Sequence, residues 1–168
     1  MRKRLITTGG TIDKVYNPIN GELVFDGTHV PEMLTQARVD LSRVIIEDLM
    51  RIDSLDMTAE ERDLIAISCS ESAERQIIVT HGTDTMPETA QHIKSFFLDR
   101  EIGHRSIILT GAMIPFNVTG SDALFNLGTA FASVEQVPDG VFVSMNGKLL
   151  EADIAIKDRE RGVFKARP

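Results

Sequence analysis

Apolar positions along the chain follow two alternating rhythms. Short, nearly continuous apolar runs of strand length occur at RLITT (4–8), RVIIEDLMRI (43–52), RQIIVT (75–80), RSIILT (105–110) and GVFVSM (140–145). Between them, PEMLTQARV (31–39), TAEERDLIAISC (58–69), PETAQHIKSFFL (87–98) and DALFNLGTAFASV (122–134) repeat their apolar residues about three or four apart, which is the helical period. Continuous apolar strands joined by helices suit a parallel sheet covered on both faces, because neither face of such a sheet meets water. The pattern predicts a doubly wound, mostly parallel α/β fold with helices on both faces. Two stretches break it. VYNPINGELVFDG (15–27) sets a Pro and an Asn-Gly pair between β-prone residues and reads as a β-hairpin flap after the first strand. NGKLLEADIAIK (146–157) reads as a turn followed by short strands.

Length and composition narrow the picture. A chain of 168 residues, 42% of them hydrophobic, fills one sizeable core, so residues 1–168 are expected to form a single domain. No apolar run reaches the roughly 18 residues of a membrane span, and MRKRLITTGG lacks a secretory h-region, so the expected location is cytoplasmic. A net charge of −7 offers no basic field to a phosphate backbone, which argues against a nucleic-acid partner. The basic clusters at Arg2, Lys3, Arg4 and at Arg159, Arg161, Lys165, Arg167 read as solvated surface. The single cysteine, Cys69, forms no internal disulfide, and the four histidines lack zinc-type spacing, so no metal is expected. Any catalysis falls to hydroxyls, carboxylates and lysines.

In an open α/β sheet the ligand crevice lies beyond the C-terminal ends of the strands. Four loops meet that criterion: TTGGTID, DSLDMT, HGTDTM and TGAMIP. Gly9 and Gly10 let the first loop approach a ligand closely and present Thr11, although a plain strand-to-loop turn is the better account of a glycine pair alone. The stretch lacks both the dinucleotide fingerprint and the phosphate-binding lysine. HGTDTM offers the Thr83 hydroxyl and the Asp84 carboxylate, with helix capping by Asp84 or Thr85 as the competing role. His81, leaving a buried strand without a nucleophile beside it, reads as structural. Lys157 ends an alternating apolar stretch; position alone does not separate an inward, proton-accepting lysine from a solvated one.

Taken together, TTGGTI, DSLDM, HGTDTM, ILTGAMIP and the lysine of DIAIK, in this order, resemble the bacterial-type L-asparaginase family over nearly the whole chain, matching that family's N-terminal domain. The resemblance implies a cofactor-free amidohydrolase that converts L-asparagine to L-aspartate and ammonia through a threonine acyl-enzyme. It assigns Thr11 as nucleophile and Thr83, Asp84 and Lys157 as a proton-transferring set. Asp84 would also hold the substrate ammonium, Ser54 its carboxylate, and the Ala112 carbonyl the leaving amide nitrogen. A homodimer or homotetramer is the implied assembly.

Three departures qualify the match. Leu55 stands where the family has a polar residue, removing an acceptor for the ammonium. Tyr16, the only tyrosine, follows Thr11 by five residues; a flap role and packing at the base of the hairpin compete for it. The second domain that completes the family site lies outside these 168 residues, so the expectation is a short form that resembles the N-terminal domain alone. The alternatives are an amidase for glutamine or a related amide, since one methylene is worth only about 1–3 kcal/mol, and a non-catalytic amino-acid-binding domain needing a partner chain.

Overall fold

The computed structural model describes residues 2–167. Among them the order is β1 (Lys3–Gly9), β2 (Lys14–Asn17), β3 (Glu22–Phe25), α1 (Val30–Gln36), β4 (Val44–Ile52), α2 (Ala59–Glu71), β5 (Gln76–Thr80), α3 (Met86–Asp99), β6 (Ser106–Thr110), α4 (Ala123–Ser133), β7 (Gly140–Met145), β8 (Lys148–Glu151), β9 (Ala155–Asp158) and β10 (Val163–Ala166). Six strands form one sheet in the order β4-β1-β5-β6-β7-β8, parallel throughout except for the antiparallel β7–β8 pair.

The continuous apolar runs arise because alternate residues enter two different cores. Ile6, Val79, Leu109 and Val143 lie in register across four strands and pack against Ile65 of α2 and Ile93 and Phe96 of α3. The neighbouring row, Leu5, Ile78, Ile108 and Phe142, packs on the other face against Met33 of α1 and Leu127 and Ala130 of α4. Burial of each such side chain stabilises the fold by about 1.5–3 kcal/mol. A one-residue slip of any central strand would exchange its two rows between differently shaped helical layers.

The crossings between parallel strands have unequal hands. From β5 to β6 the chain passes over the α2/α3 face, whereas from β6 to β7 it continues in the same direction across the sheet but over the α1/α4 face. Those two crossings therefore have opposite hands. The β1–α1–β4 and β4–α2–β5 connections share the hand of β5–α3–β6, so β6–α4–β7 is a left-handed crossover, a form found in about 2% of such units. Its effect is to send the loop after β6 toward the face opposite the loop after β5.

Two small antiparallel hairpins complete the chain. In β2–β3, Tyr16 pairs with Leu23, and the turn is closed by the Gly21 N–H donating to the Asn17 carbonyl at 2.8 Å. In β9–β10, Lys157 pairs with Phe164. Strand β10 has no counterpart in the sequence reading, because only Phe164 of its four residues is buried and one inward residue sets no period. The solvated reading also fails for Lys3 and Arg4. Both begin a central strand, so Lys3 is buried against Glu135 and the Phe131 ring, while Arg4 is ion-paired to Glu47 and Glu74.

Candidate active site

The four candidate loops converge on one rim. Those after β1 and β6 leave toward the α1/α4 face, and those after β4 and β5 toward the α2/α3 face. Strand β5 is thus flanked on both sides by strands whose loops diverge from its own, which opens a crevice at its C-terminal end. Backbone proximity closes the floor. Gly10, at φ +78, lies against the Gly82 backbone, and a Cβ on Gly82 would lie 2.6 Å from Ser54 Oγ. The Thr85 hydroxyl donates to the Ser54 carbonyl at 2.7 Å, fastening the second loop to the third.

Three of the residues singled out by the sequence form one hydrogen-bonded group. Lys157 Nζ, on β9, donates to Thr83 Oγ1 and to Asp84 Oδ1, both at 2.8 Å. The lysine side chain is 8% exposed and the aspartate side chain 36%, so the cation is buried while the carboxylate faces the opening. Position along the chain had left the lysine's direction open; the structure turns it inward. Because Thr83 Oγ1 accepts from Lys157, its own proton is free to point elsewhere. Thr11 begins the short helical turn Thr11–Asp13 directly after Gly10, so Thr11 and Thr83 each follow one of two glycines in contact.

His81 has a structural place. It is 0% exposed, its Nδ1 lies 2.7 Å from the Gly82 carbonyl and its Nε2 3.2 Å from the Met57 sulfur. A carbonyl only accepts, so Nδ1 carries the proton, and burial pushes the imidazole down to about 4 despite that bond. Peptide planarity then aims the Thr83 N–H away from His81, opposite to the Gly82 carbonyl. Capping of α3 by Asp84 or Thr85 is not found. Thr85 is the N-cap, but its hydroxyl is spent on Ser54, Pro87 in the first turn removes one donor, and Asp84 is turned to Lys157.

The other candidates are placed as follows. Ser54 is 1% exposed, its Oγ accepting from the Thr85 N–H at 3.4 Å, so the hydroxyl is part of the loop-to-loop contact. Ala112 is fully buried in the α1/α4 core, which also takes in Ile12. Leu55 projects into solvent at 64%. Tyr16 is 60% exposed on β2, so packing at the base of the hairpin is ruled out. The base is secured by Asp13 instead, whose carboxylate accepts from Thr28 Oγ1 at 3.0 Å and from the His29 N–H at 2.9 Å. Burial raises this carboxyl above its ordinary range, more than the two hydrogen bonds lower it. Asp13 lies outside the sequence reading, in which TTGGTID counts as a threonine motif.

Residues 4–163 match the family model for the asparaginase N-terminal domain. The chain belongs to the asparaginase family. Among relatives, the L-asparaginase of Thermococcus kodakarensis is 25% identical over 89% of this chain and 45% of its own length. A probable periplasmic L-asparaginase of Haemophilus influenzae is 32% identical over 88% and 44%. A glutaminase-asparaginase of Acinetobacter glutaminasificans is 29% identical over 88% and 47%. The solved thermostable L-asparaginase from Thermococcus kodakarensis superposes with a TM-score of 0.83 at 24% identity, covering 99% of this chain and 51% of that one. The chain thus spans about half the length of the relatives it matches.

Within this asparaginase fold, a cavity of about 260 Å³ opens beside the Lys157–Asp84 pair, on the side of α3 and β9. Gln91, Ile156 and Arg159 also line it, whereas Thr11 stands outside its wall. Among the described residues no cluster of three His, Cys, Asp or Glu is gathered to hold a metal, and no helix is long and apolar enough to cross a membrane.

Proposed function

We propose that this chain is an L-asparaginase, hydrolysing L-asparagine to L-aspartate and ammonia through an acyl-enzyme on Thr11. The observation that carries the reading is the Lys157–Thr83–Asp84 group, in which a buried cation is bonded to a hydroxyl beside the crevice. A binding module has no use for that arrangement; proton transfer does.

The proposed cycle balances within these residues. Thr11 Oγ1 attacks the side-chain carbonyl, forming a C–O bond, and the C–N bond breaks to release ammonia. Lys157 gives a proton to the departing nitrogen and recovers one through Thr83, which takes up the proton given up by Thr11. Water then attacks the ester, and the same relay returns a proton to Thr11 as aspartate leaves. The Thr83 N–H, turned away from His81, is a donor for the oxyanion. Asp84 Oδ2, left over after Oδ1 has accepted from Lys157, suits the substrate ammonium. In this reading Ser54 holds the carboxylate, the Ala112 carbonyl the amide nitrogen, and Tyr16 rides on a hairpin flap over Thr11.

Glutamine is the second substrate to consider, on the ground that one relative is named a glutaminase-asparaginase. The reading extends to a cofactor-free, cytoplasmic enzyme in which residues 1–168 form one domain, working as a homodimer or homotetramer, which sedimentation and cell fractionation test. The decisive experiment is ammonia release from asparagine and from glutamine, with Thr11→Ala alongside. Activity on asparagine that disappears in the variant supports the reading; asparagine binding without turnover replaces it with a binding domain that needs a partner chain.

A further inference from the structure

The β9–β10 hairpin that carries Lys157 lies outside the six-stranded sheet, and a two-stranded hairpin is marginal by itself. One of its anchors is the turn between β7 and β8. Asn146 Oδ1 accepts from the Phe164 N–H at 2.9 Å, and Lys148 Nζ donates to the Phe164 carbonyl at 3.1 Å. Both backbone groups of Phe164 therefore face the turn and not β9. In an antiparallel ladder that makes Phe164 and Lys157 a non-hydrogen-bonded pair, the kind in which facing side chains approach most closely. The Phe164 side chain is fully buried in the core, so the stem of Lys157 stands beside a fixed ring.

The grip is itself held from below. The Asn146 N–H donates to Asn126 Oδ1 at 3.0 Å. Asn126 is fully buried in α4, and its Nδ2 donates to the Gly111 carbonyl at 3.0 Å and to Asp122 Oδ2 at 2.8 Å. Asn146 sits at φ +55, where a short polar side chain or glycine is tolerated and most others are strained. One continuous set of hydrogen bonds thus runs from the loop after β6, through Asn126 and Asn146, to the residue opposite Lys157.

We propose that Asn146 is a positioning residue for the reaction: through Phe164 it holds Lys157 at hydrogen-bonding distance from Thr83 and Asp84. The proposal rests on the role of Lys157 given above, and its test includes a readout that needs no turnover. Asn146→Gly keeps the backbone conformation but removes the acceptor, and Asn146→Asp restores an acceptor in the same place. Lys148→Met releases the other side of Phe164 without touching Asn146.

The first measurement is the 1H–13C NMR spectrum of 13C-labelled lysine side chains at fixed pH, with the Lys157 signal assigned by its absence in Lys157→Met. In Asn146→Gly the Lys157 signal is expected to move toward that of a solvated lysine while the protein stays folded. In Asn146→Asp it is expected to stay near wild type, and Lys148→Met should move it in the same sense as the glycine variant. With asparagine, kcat should fall roughly 100-fold in Asn146→Gly, with KM changed little, as displacement of a catalytic group by about 1 Å does. If no variant hydrolyses asparagine, the Lys157 signal still decides the proposal and only the catalytic reading fails. A Lys157 chemical shift identical in wild type and Asn146→Gly overturns it, as does an Asn146→Asp variant that behaves like the glycine one.

Discussion

Gly10 and Gly82 meet backbone to backbone: a Cβ on Gly10 would lie 2.4 Å from the Gly82 nitrogen, and Gly10 already occupies φ +78. The obstacle is main chain, which cannot rotate aside. Gly10→Ala must therefore push the first loop away from the third, separating Thr11 from Thr83. Left-handed strain and overpacking together should cost about 2–4 kcal/mol in chemical denaturation. The proposed hydrolysis of asparagine should fall by more than stability alone explains, measured at a temperature where the variant remains folded.

Lys157→Met separates chemistry from stability. The Lys157–Asp84 pair has one partner more than a third exposed, so its loss should change stability by only about 0–1 kcal/mol. Loss of the proton relay should reduce kcat by roughly 100-fold or more. A variant that unfolds, or one that turns over asparagine at the wild-type rate, contradicts the proposed role.

His81 predicts a pH dependence of stability. Its imidazole is held at about 4 in the fold against 6.5 when exposed, so the stability it contributes is complete above pH 6.5. As pH falls from 6.5 to about 4 the unfolded chain gains a proton that the folded one refuses, and about 3 kcal/mol is lost. His81→Asn keeps a donor for the Gly82 carbonyl and does not titrate. Urea unfolding across this range should show the wild-type curve falling relative to that of the variant; parallel curves would exclude the mechanism.

Asp13 acts in the opposite sense. Its carboxyl is raised by burial, so its contribution is present below the ordinary value of 3.8 and is lost as pH rises through the elevated folded value. Asp13→Asn still accepts from Thr28 and His29 but carries no charge to desolvate. Its thermal midpoint should be at or above wild type at pH 7, with the difference vanishing below pH 3.8. Asp13→Ala should release the base of the hairpin, seen as faster amide exchange in residues 14–27.

Much of this molecule could be read from its residues in order. Five apolar runs and four amphipathic stretches specify the α/β layering, because strands buried on both faces and helices buried on one carry periods that need no third dimension. The Asn-Gly hairpin and the four crevice loops follow from turn chemistry and from the rule that sites lie at the C-terminal ends of strands. Single inward residues set no period, which is why β10 and the buried Lys3 escaped. Asn126 did leave a trace, as one amide in the mostly apolar sequence of α4, but its partners Gly111 and Asn146 are 15 and 20 residues away.

Thr11, Thr83, Asp84 and Lys157 were named by type and by motif, yet a sequence cannot supply direction. Lys157 lies 74 residues from Thr83, and whether its ammonium meets that hydroxyl or water depends on how a hairpin outside the main sheet is held. The left-handed β6–β7 crossing, the contact of Gly10 with Gly82 and the Phe164 clasp make that decision. The sequence determined which groups were present and which layers they joined, since burial and period are local. The tertiary structure decided which of them touch, because a hydrogen bond depends on a distance that only the completed packing fixes.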